Sequence, residues 1–494
     1  MKQTLLLLTT ALLASSAVAA ECTTPGNGTT YTFEELSKIA ESGVTKNGTT
    51  YTVSNDITVA AADSFKIDDG ATVKLADAVV IRIEGGANLN AATATSITRN
   101  AETDNPKGFN LATEKVSQVT VKNLNFEYAA LKFWLSDGST AKVQDCTFKY
   151  ANGKLSSSGA ISLAETGSAY EITNCNFTQN EVPAIGGGAN MYCGILVKDC
   201  YFEDNNTKNA NRPQVNLTVG GDLEVVVKDN TFVGNKRTKV GAISVANMLG
   251  TQADNIVTIE NNDVRYHRYG ITTTGSLNAK ILNNTIVENK YETNPMNGGS
   301  GISIYDASKT ATVYVSGNHI EDNLWGITII GGKDVNIGKV ADPTAADYNP
   351  GGNVFKNNGN NGTIYDLYNN TQNTVYAQGN RWESVDEQTE EKIETVIYHK
   401  HDNADLGEVI FMPAAGASGV ANVNASSSYF DSNNRRLVVS AADATVEVYD
   451  LYGKKVLEST GSNAVDLQAL PNGVYLARVA AEGTSATTLK LLLK

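Results

Sequence analysis

The sequence predicts an all-β protein whose main body is a three-sided solenoid of stacked parallel strands. Three observations carry that prediction. A short polar–apolar segment recurs ten times at irregular spacing, its apolar residues alternate with period two, and the alternation slips by one residue at the same place in the copies.

Taken in chain order, the first element is an export signal. Met1-Lys2, the apolar run Leu5 to Leu8, Ala11 to Ala14 and the small-residue end Ala17-Val18-Ala19-Ala20 make a secretory signal peptide over 1–20, cleaved between Ala20 and Glu21. Glu21 stands where a lipidated Cys22 would need a small neighbour, so lipidation is not expected. No later stretch approaches a membrane-spanning run.

Residues 21–55 read as an N-terminal cap. Phe33, Leu36, Ile39 and Ala40 fall at helical spacing after Thr32, a plausible N-cap, which predicts a short capping helix over 32–42. An open solenoid end exposes unpaired strand edges, so a cover is physically expected there. The solenoid is assigned to 56–412. Its first coils are less regular, with alternating stretches such as Ile57-Thr58-Val59 and Val73-Lys74-Leu75 and turns at Asp69-Gly70 and Gly85-Gly86.

The recurring segments include Val121-Lys-Asn-Leu-Asn-Phe126, Val143-Gln-Asp-Cys-Thr-Phe148, Val227-Lys-Asp-Asn-Thr-Phe232 and Ile281-Leu-Asn-Asn-Thr-Ile286. Phe126 and Phe148 stand 22 residues apart, Ile320 and Phe355 stand 35 apart, a scatter that coils with variable loops tolerate and helical repeats do not. Val225 and Val227 share one parity; Asn230 and Phe232 share the other. A strand that changes parity has turned a corner. A third apolar piece (Ile161/Leu163, Leu217/Val219, Ile243/Val245, Ile302/Ile304, Ile327/Ile329) completes three strands per coil, and successive coils stack about 4.8 Å apart.

Stacking also accounts for polar residues at inward positions. The corner reads Leu124, Cys146, Cys175, Cys200, Asn230, Asn262, Asn284, Asn318, Asn353, Asn380 down the coils. One buried Asn alone costs several kcal/mol, but Asn above Asn pairs amide with amide. A second row is expected at Asn180, Asn205, Asn235, Asn289, Asn323 and Asn358, with His267 in the same row. These ladders resemble the right-handed parallel β-helix proteins of the pectin-lyase-like group, over roughly residues 50 to 410. The resemblance implies the fold; it does not by itself imply an activity.

Cys146, Cys175 and Cys200 read as stacked small hydrophobes at one corner. A disulfide within that stack is geometrically conceivable in an oxidising compartment, Cys193 lies close in sequence, and the five cysteines leave one unpaired in any case. Their spacing matches no zinc or haem signature, and neither metal nor cofactor is expected.

Residues 413–428 are rich in Ala, Gly and Ser without periodicity and read as a linker. Beyond it, 429–494 carries short alternating stretches separated by turns at Tyr452-Gly453 and Pro471-Asn472-Gly473, which predicts a small β-sandwich. The string Val448-Tyr-Asp-Leu-Tyr-Gly453, then Leu470-Pro-Asn-Gly-Val-Tyr-Leu-Ala-Arg-Val479 and a Lys-containing last strand resembles the C-terminal sorting domain of type IX secretion. That resemblance implies a Bacteroidota protein handled by the type IX machinery, and secreted or attached to the outer surface of the outer membrane. The tail is usually removed in such proteins.

Composition limits the function. With 39 basic against 53 acidic residues and a net charge of −14, a nucleic-acid partner is disfavoured, since the surface repels phosphate. β-Helix relatives often cleave acidic polysaccharides, using an acidic calcium cluster with a Lys or Arg base, or paired carboxylates. Glu203-Asp204 and Glu321-Asp322 are four coils apart, about 19 Å, too far to share an ion. No catalytic constellation stands out. Two binding features do. Arg265-Tyr266-His267-Arg268-Tyr269 gathers cations and aromatics, and the loops at 149–158, 203–213, 233–240 and 287–300 leave equivalent corners, which predicts one wall beside a groove bearing Tyr150, Arg212, Arg237 and Tyr291. Tyr305-Asp306 is a further acid–aromatic pair. The expected function is binding of a glycan or another extracellular or host-surface polymer; a polysaccharide lyase or hydrolase and a pocketless structural adhesin are the alternatives.

Overall fold

The computed structural model describes residues 20–113, 118–164, 167–188, 192–220, 222–247, 256–308, 310–415, 429–431, 435–439, 444–450, 454–462, 464–480 and 487–493. All of the signal peptide except Ala20, residues 416–428 of the expected linker, and the turn at Tyr452-Gly453 lie outside them. The chain divides into two compact units, Met1–Ala415 and Gly416–Lys494.

In the first unit, each coil contributes strands to three faces. Sheet A is a ladder of fourteen strands from Glu21–Thr23 to Ile397–Tyr398, every neighbour parallel, and it contains the third apolar pieces such as Ile161–Leu163, Ile243–Asn247 and Trp325–Gly331. Sheet B runs through Thr140–Gln144, Val225–Lys228 and Thr312–Ser316; sheet C runs through Thr147–Lys149, Thr231–Val233 and Arg381–Trp382. The register is maintained from coil to coil: Phe148 pairs with Phe177, Phe177 with Phe202, and Phe202 with Phe232.

The parity slip has a backbone cause. Between sheets B and C one residue per coil adopts a left-handed conformation: Asp145, Asn174, Asp199, Asp229, Asn261 and Asn283 have φ between 52° and 57°. Asn and Asp tolerate that region better than other side-chain-bearing residues, and Gly317, at φ 70°, takes it without cost. One such residue redirects the chain and turns the next side chain inward. Beyond the corner, the Phe126, Phe148, Phe177, Phe202 and Phe232 rings stack 4.4–5.1 Å apart and within 6° of parallel.

The Asn corner forms a continuous amide ladder. Asn230, Asn262, Asn284, Asn318 and Asn353 each donate Nδ2 to the Oδ1 of the next at 2.9 Å, ending on Asn380. Each Oδ1 also accepts the backbone N–H of the coil before it, and each Nδ2 reaches a carbonyl, as Asn284 does to Ile259. The amides are thereby satisfied while buried. The second row differs from expectation at one place. Asn235 is exposed and donates to Asp204. Gln214 occupies the row instead, accepting from Asn205 at 2.6 Å and meeting His267 Nε2 at 2.7 Å. The loop after Phe232 follows a different path there, so residue counting misplaces the inward amide. His267 Nδ1 then faces Asn289 at 3.2 Å, and Asn323, Asn358 and Asp366 complete the row.

At the N-terminal end the helix is shorter than predicted, covering Phe33–Leu36 with Thr32 accepting from the Glu35 N–H; a 3₁₀ turn follows at Ala40–Ser42. Ile39 is extended between them, and the Ser42 hydroxyl takes the Leu36 carbonyl, which closes the helix after one turn. Phe33 packs edge-on against Phe65 and Phe109. Glu21–Thr23 already pairs with Asp56–Val59, so the solenoid's first strand precedes this helix and the expected 55/56 boundary falls between strands of one sheet. All five cysteines are buried free thiols. Cys146, Cys175 and Cys200 each place Sγ near the carbonyl two residues back.

The second unit contains antiparallel sheets of three and four strands. Leu437, Val446, Val448, Val465, Tyr475, Ala477 and Leu491 from both sheets share one core.

Candidate functional site

The outward positions of sheet A form the floor of an open groove. In register across successive coils stand Asn216, Ser244, Thr272 and Ser303, so this row of the floor is one amide and three hydroxyls; the register continues to Thr328, which is buried against Ser300. The groove encloses about 540 Å³, and its sides are Asn211, Arg212, Pro213, Arg268, Tyr269, Asn297 and Gly298. A smaller depression of about 330 Å³ near the cap is lined by Lys46, Lys66, Asp68 and Asp69, whose charges are balanced within it.

The loops leaving the shared corner are laced into one wall by cations. Arg212 Nη1 donates to the Ser157 carbonyl at 2.7 Å, and Lys208 Nζ reaches the Asn152 carbonyl at 3.1 Å and Glu181 at 2.7 Å. Arg237 forks onto Asp204 at 2.6 and 3.0 Å and also takes the Thr207 carbonyl. Arg268 has the most partners: Glu292 at 2.6 Å, Asn211 at 2.5 Å and the Asn297 carbonyl at 2.5 Å, so it ties two loops to its own coil. Glu292 is nearly buried; that burial opposes its charge, but the Asn294 N–H and Arg268 outweigh it and hold the carboxyl below its usual range. Tyr269 lies flat against Gly241, where an added Cβ would fall 2.1 Å from the ring. Past Thr328, in register, come Tyr368 and Tyr398, and Trp325 stacks near Tyr365 at 4.7 Å and Tyr368 at 5.5 Å.

Comparison with known families decides what this scaffold is. The model of the right-handed beta helix region matches residues 42–194, 154–291 and 189–339, which overlap across more than half of the chain. The chain belongs to the right-handed β-helix family. A second model, the secretion system C-terminal sorting domain, matches 425–494 and marks this β-helix protein as type IX cargo, secreted and attached at the cell surface. No curated protein matches the chain. Among solved structures it is similar to a double mutant of the periplasmic alginate epimerase AlgG, at 10% identity and a TM-score of 0.42 over 78% of this chain and 83% of that one. A single mutant of the same epimerase is similar at 12% identity and a TM-score of 0.38, over 78% and 81%.

Of the side chains singled out in the sequence, Arg212 and Arg268 line the β-helix groove, and Tyr305 is half-exposed in register with the groove residue Thr274. The structure does not bring the others to it. Tyr150 stacks on Tyr128 at 5.1 Å, Arg265 pairs with Asp263 at 2.6 Å beside Tyr266, and Tyr291 sits under Lys236. Arg237 is spent on Asp204. Asp306 is a correction: it is 1% exposed, because strand alternation turns it inward when Tyr305 points out. Its oxygens accept the N–H groups of Ser308, Thr310 and Ala311, so it closes its own loop.

Among the described residues, the groove lining contains no carboxylate, imidazole or amine, and Tyr269 is its one titratable group besides arginine. Burial pushes its phenol up to about 12 against the opposing charge of Arg268, the wrong direction for a base at neutral pH.

Proposed function

We propose that this cell-surface β-helix binds an acidic extracellular polysaccharide along the sheet A groove, without transforming it. The carrying observation is Arg212: a half-buried guanidinium at a groove with no carboxylate in its lining, on a chain of net charge −14, with one of its five N–H groups committed to Ser157. Hydroxyls and an amide beneath it suit sugar hydroxyls, and the Trp325, Tyr365, Tyr368 and Tyr398 cluster offers rings for sugar faces.

Affinity electrophoresis of the secreted protein through gels containing pectate, alginate or a neutral glucan tests this reading. Retardation by an acidic polymer should weaken about tenfold in Arg212→Ala, the loss expected of one charged hydrogen bond. Equal retardation of both proteins, or none in any gel, would remove the groove from consideration and favour an adhesin. Unsaturated product absorbing in the ultraviolet would instead assign a lyase.

A further inference from the structure

At the last coil a second cluster stands apart from the groove. Helix Glu390–Glu394 ends on Glu394, strand Ile397–Tyr398 closes sheet A, and a tight turn follows in which the Asp402 and Asn403 N–H groups both bond the His399 carbonyl. This turn returns His401 and Asp402 to the end of the helix. Glu394, His401 and Asp402 each offer a ligand atom, and these atoms lie within 4.8 Å of one another. His401 Nδ1 and Glu394 Oε1 are 3.3 Å apart. Two ligands about 2.1 Å from a tetrahedral zinc lie roughly 3.4 Å from each other, so this pair already has that spacing.

The surroundings fix the carboxylate as an outer shell does in metal sites. The Val409 N–H donates to His399 Nδ1 at 2.8 Å, which leaves the proton on Nε2, and Nε2 donates it to Glu394 Oε1 at 2.7 Å. The His399 N–H holds Asp402 Oδ2 at 3.0 Å. Buried His399 thus orients both acids, while His401, with a side chain 72% exposed, is free to swing onto an ion.

We propose that Glu394, His401 and Asp402 bind a divalent transition cation, zinc by preference, with water completing the shell. One imidazole with two carboxylates suits zinc better than calcium or magnesium, which take oxygen ligands only. The ion clasps helix and turn together at the coil that supplies the last strand of sheet A among the described residues.

Isothermal titration of the untagged full-length secreted protein with Zn²⁺ is the test. One equivalent should bind, millimolar Ca²⁺ should not compete, and His401→Ala should weaken binding at least about tenfold. Because His401 is exposed, that variant folds, which far-ultraviolet dichroism verifies. His319→Ala, which removes a separate His–Glu pair with Glu321, should bind as the parent does. Absence of saturable binding, or a zinc isotherm unchanged by His401→Ala, overturns the proposal.

Discussion

At the residue scale, the second inward row shows how one ladder accommodates unlike members. His267 accepts from Gln214 through Nε2 and donates through Nδ1 to Asn289, which requires the neutral ring; burial lowers its pKa to about 3 although the Asn289 bond opposes this. Since an unfolded histidine titrates near 6.5, its contribution is complete above that pH and is lost as pH falls toward 3. Asp366, at the far end, titrates in the opposite sense. Burial raises its carboxyl from 3.8 to about 6, with Ser384 and Asn358 opposing. Its stabilisation is complete below 3.8 and is lost as pH rises through 6, so at neutral pH it is a liability. Asp366→Asn keeps an acceptor for Asn358 and should raise stability at pH 7.5 by at most about 3 kcal/mol, with no gain at pH 4. Urea unfolding at the two pH values checks this, and a variant weaker than the parent at pH 7.5 would refute it. Neither Gln214 nor Asp366 was legible in the sequence. Both come from loops whose length varies, so they carry no repeat phase; His267 could be placed because it follows Val264 at the repeat interval.

At the scale of the element, coil, corner and ladder were legible because they obey a period that stacking imposes on every copy. The helical cap was legible in its first turn, where Thr32, Phe33 and Leu36 carry the signal, and not in its length, which Ser42 sets through a bond to the Leu36 carbonyl. The groove was half legible. Loop lengths pointed to a wall, but cations on a surface look alike in sequence whether they also line the groove, as Arg212 does, or only lace loops, as Arg237 does. The aromatic cluster was missed because Tyr365 and Tyr368 belong to a coil whose loop breaks the pattern. Ladder membership has a measurable consequence. Asn318→Leu keeps the branched four-atom skeleton but strips partners from Asn284 Nδ2, the Asn284 N–H, the Ile281 carbonyl and Asn353 Oδ1. Asn284 Nδ2 keeps the Ile259 carbonyl and Asn353 Oδ1 keeps the Asn318 N–H, so the Asn284 N–H is the buried donor left unsatisfied, and the loss should be about 1–3 kcal/mol. A thermal or urea measurement showing a loss below about 1 kcal/mol would mean that water or rearrangement satisfies that donor.

At the scale of the whole molecule, the question is whether secretion and solenoid depend on each other. Coils pair with their neighbours in the stack, so solenoid stability is a sum of local interfaces, from Phe33 at one end to Ile397–Tyr398 at the other. The sorting unit closes a core of its own from residues between Leu437 and Leu493, none of them in the solenoid. Address and architecture are therefore separable. A chain ending at Ala415 should unfold with the same midpoint as the solenoid transition of the full chain, yet remain in the periplasm, because the matched sorting segment at 425–494 is gone. Calorimetry of the two purified proteins, with fractionation of the expressing cells, tests both halves. A midpoint that drops on truncation would show the sorting unit bracing the solenoid, and surface display of the shortened chain would mean that the solenoid carries an export signal of its own.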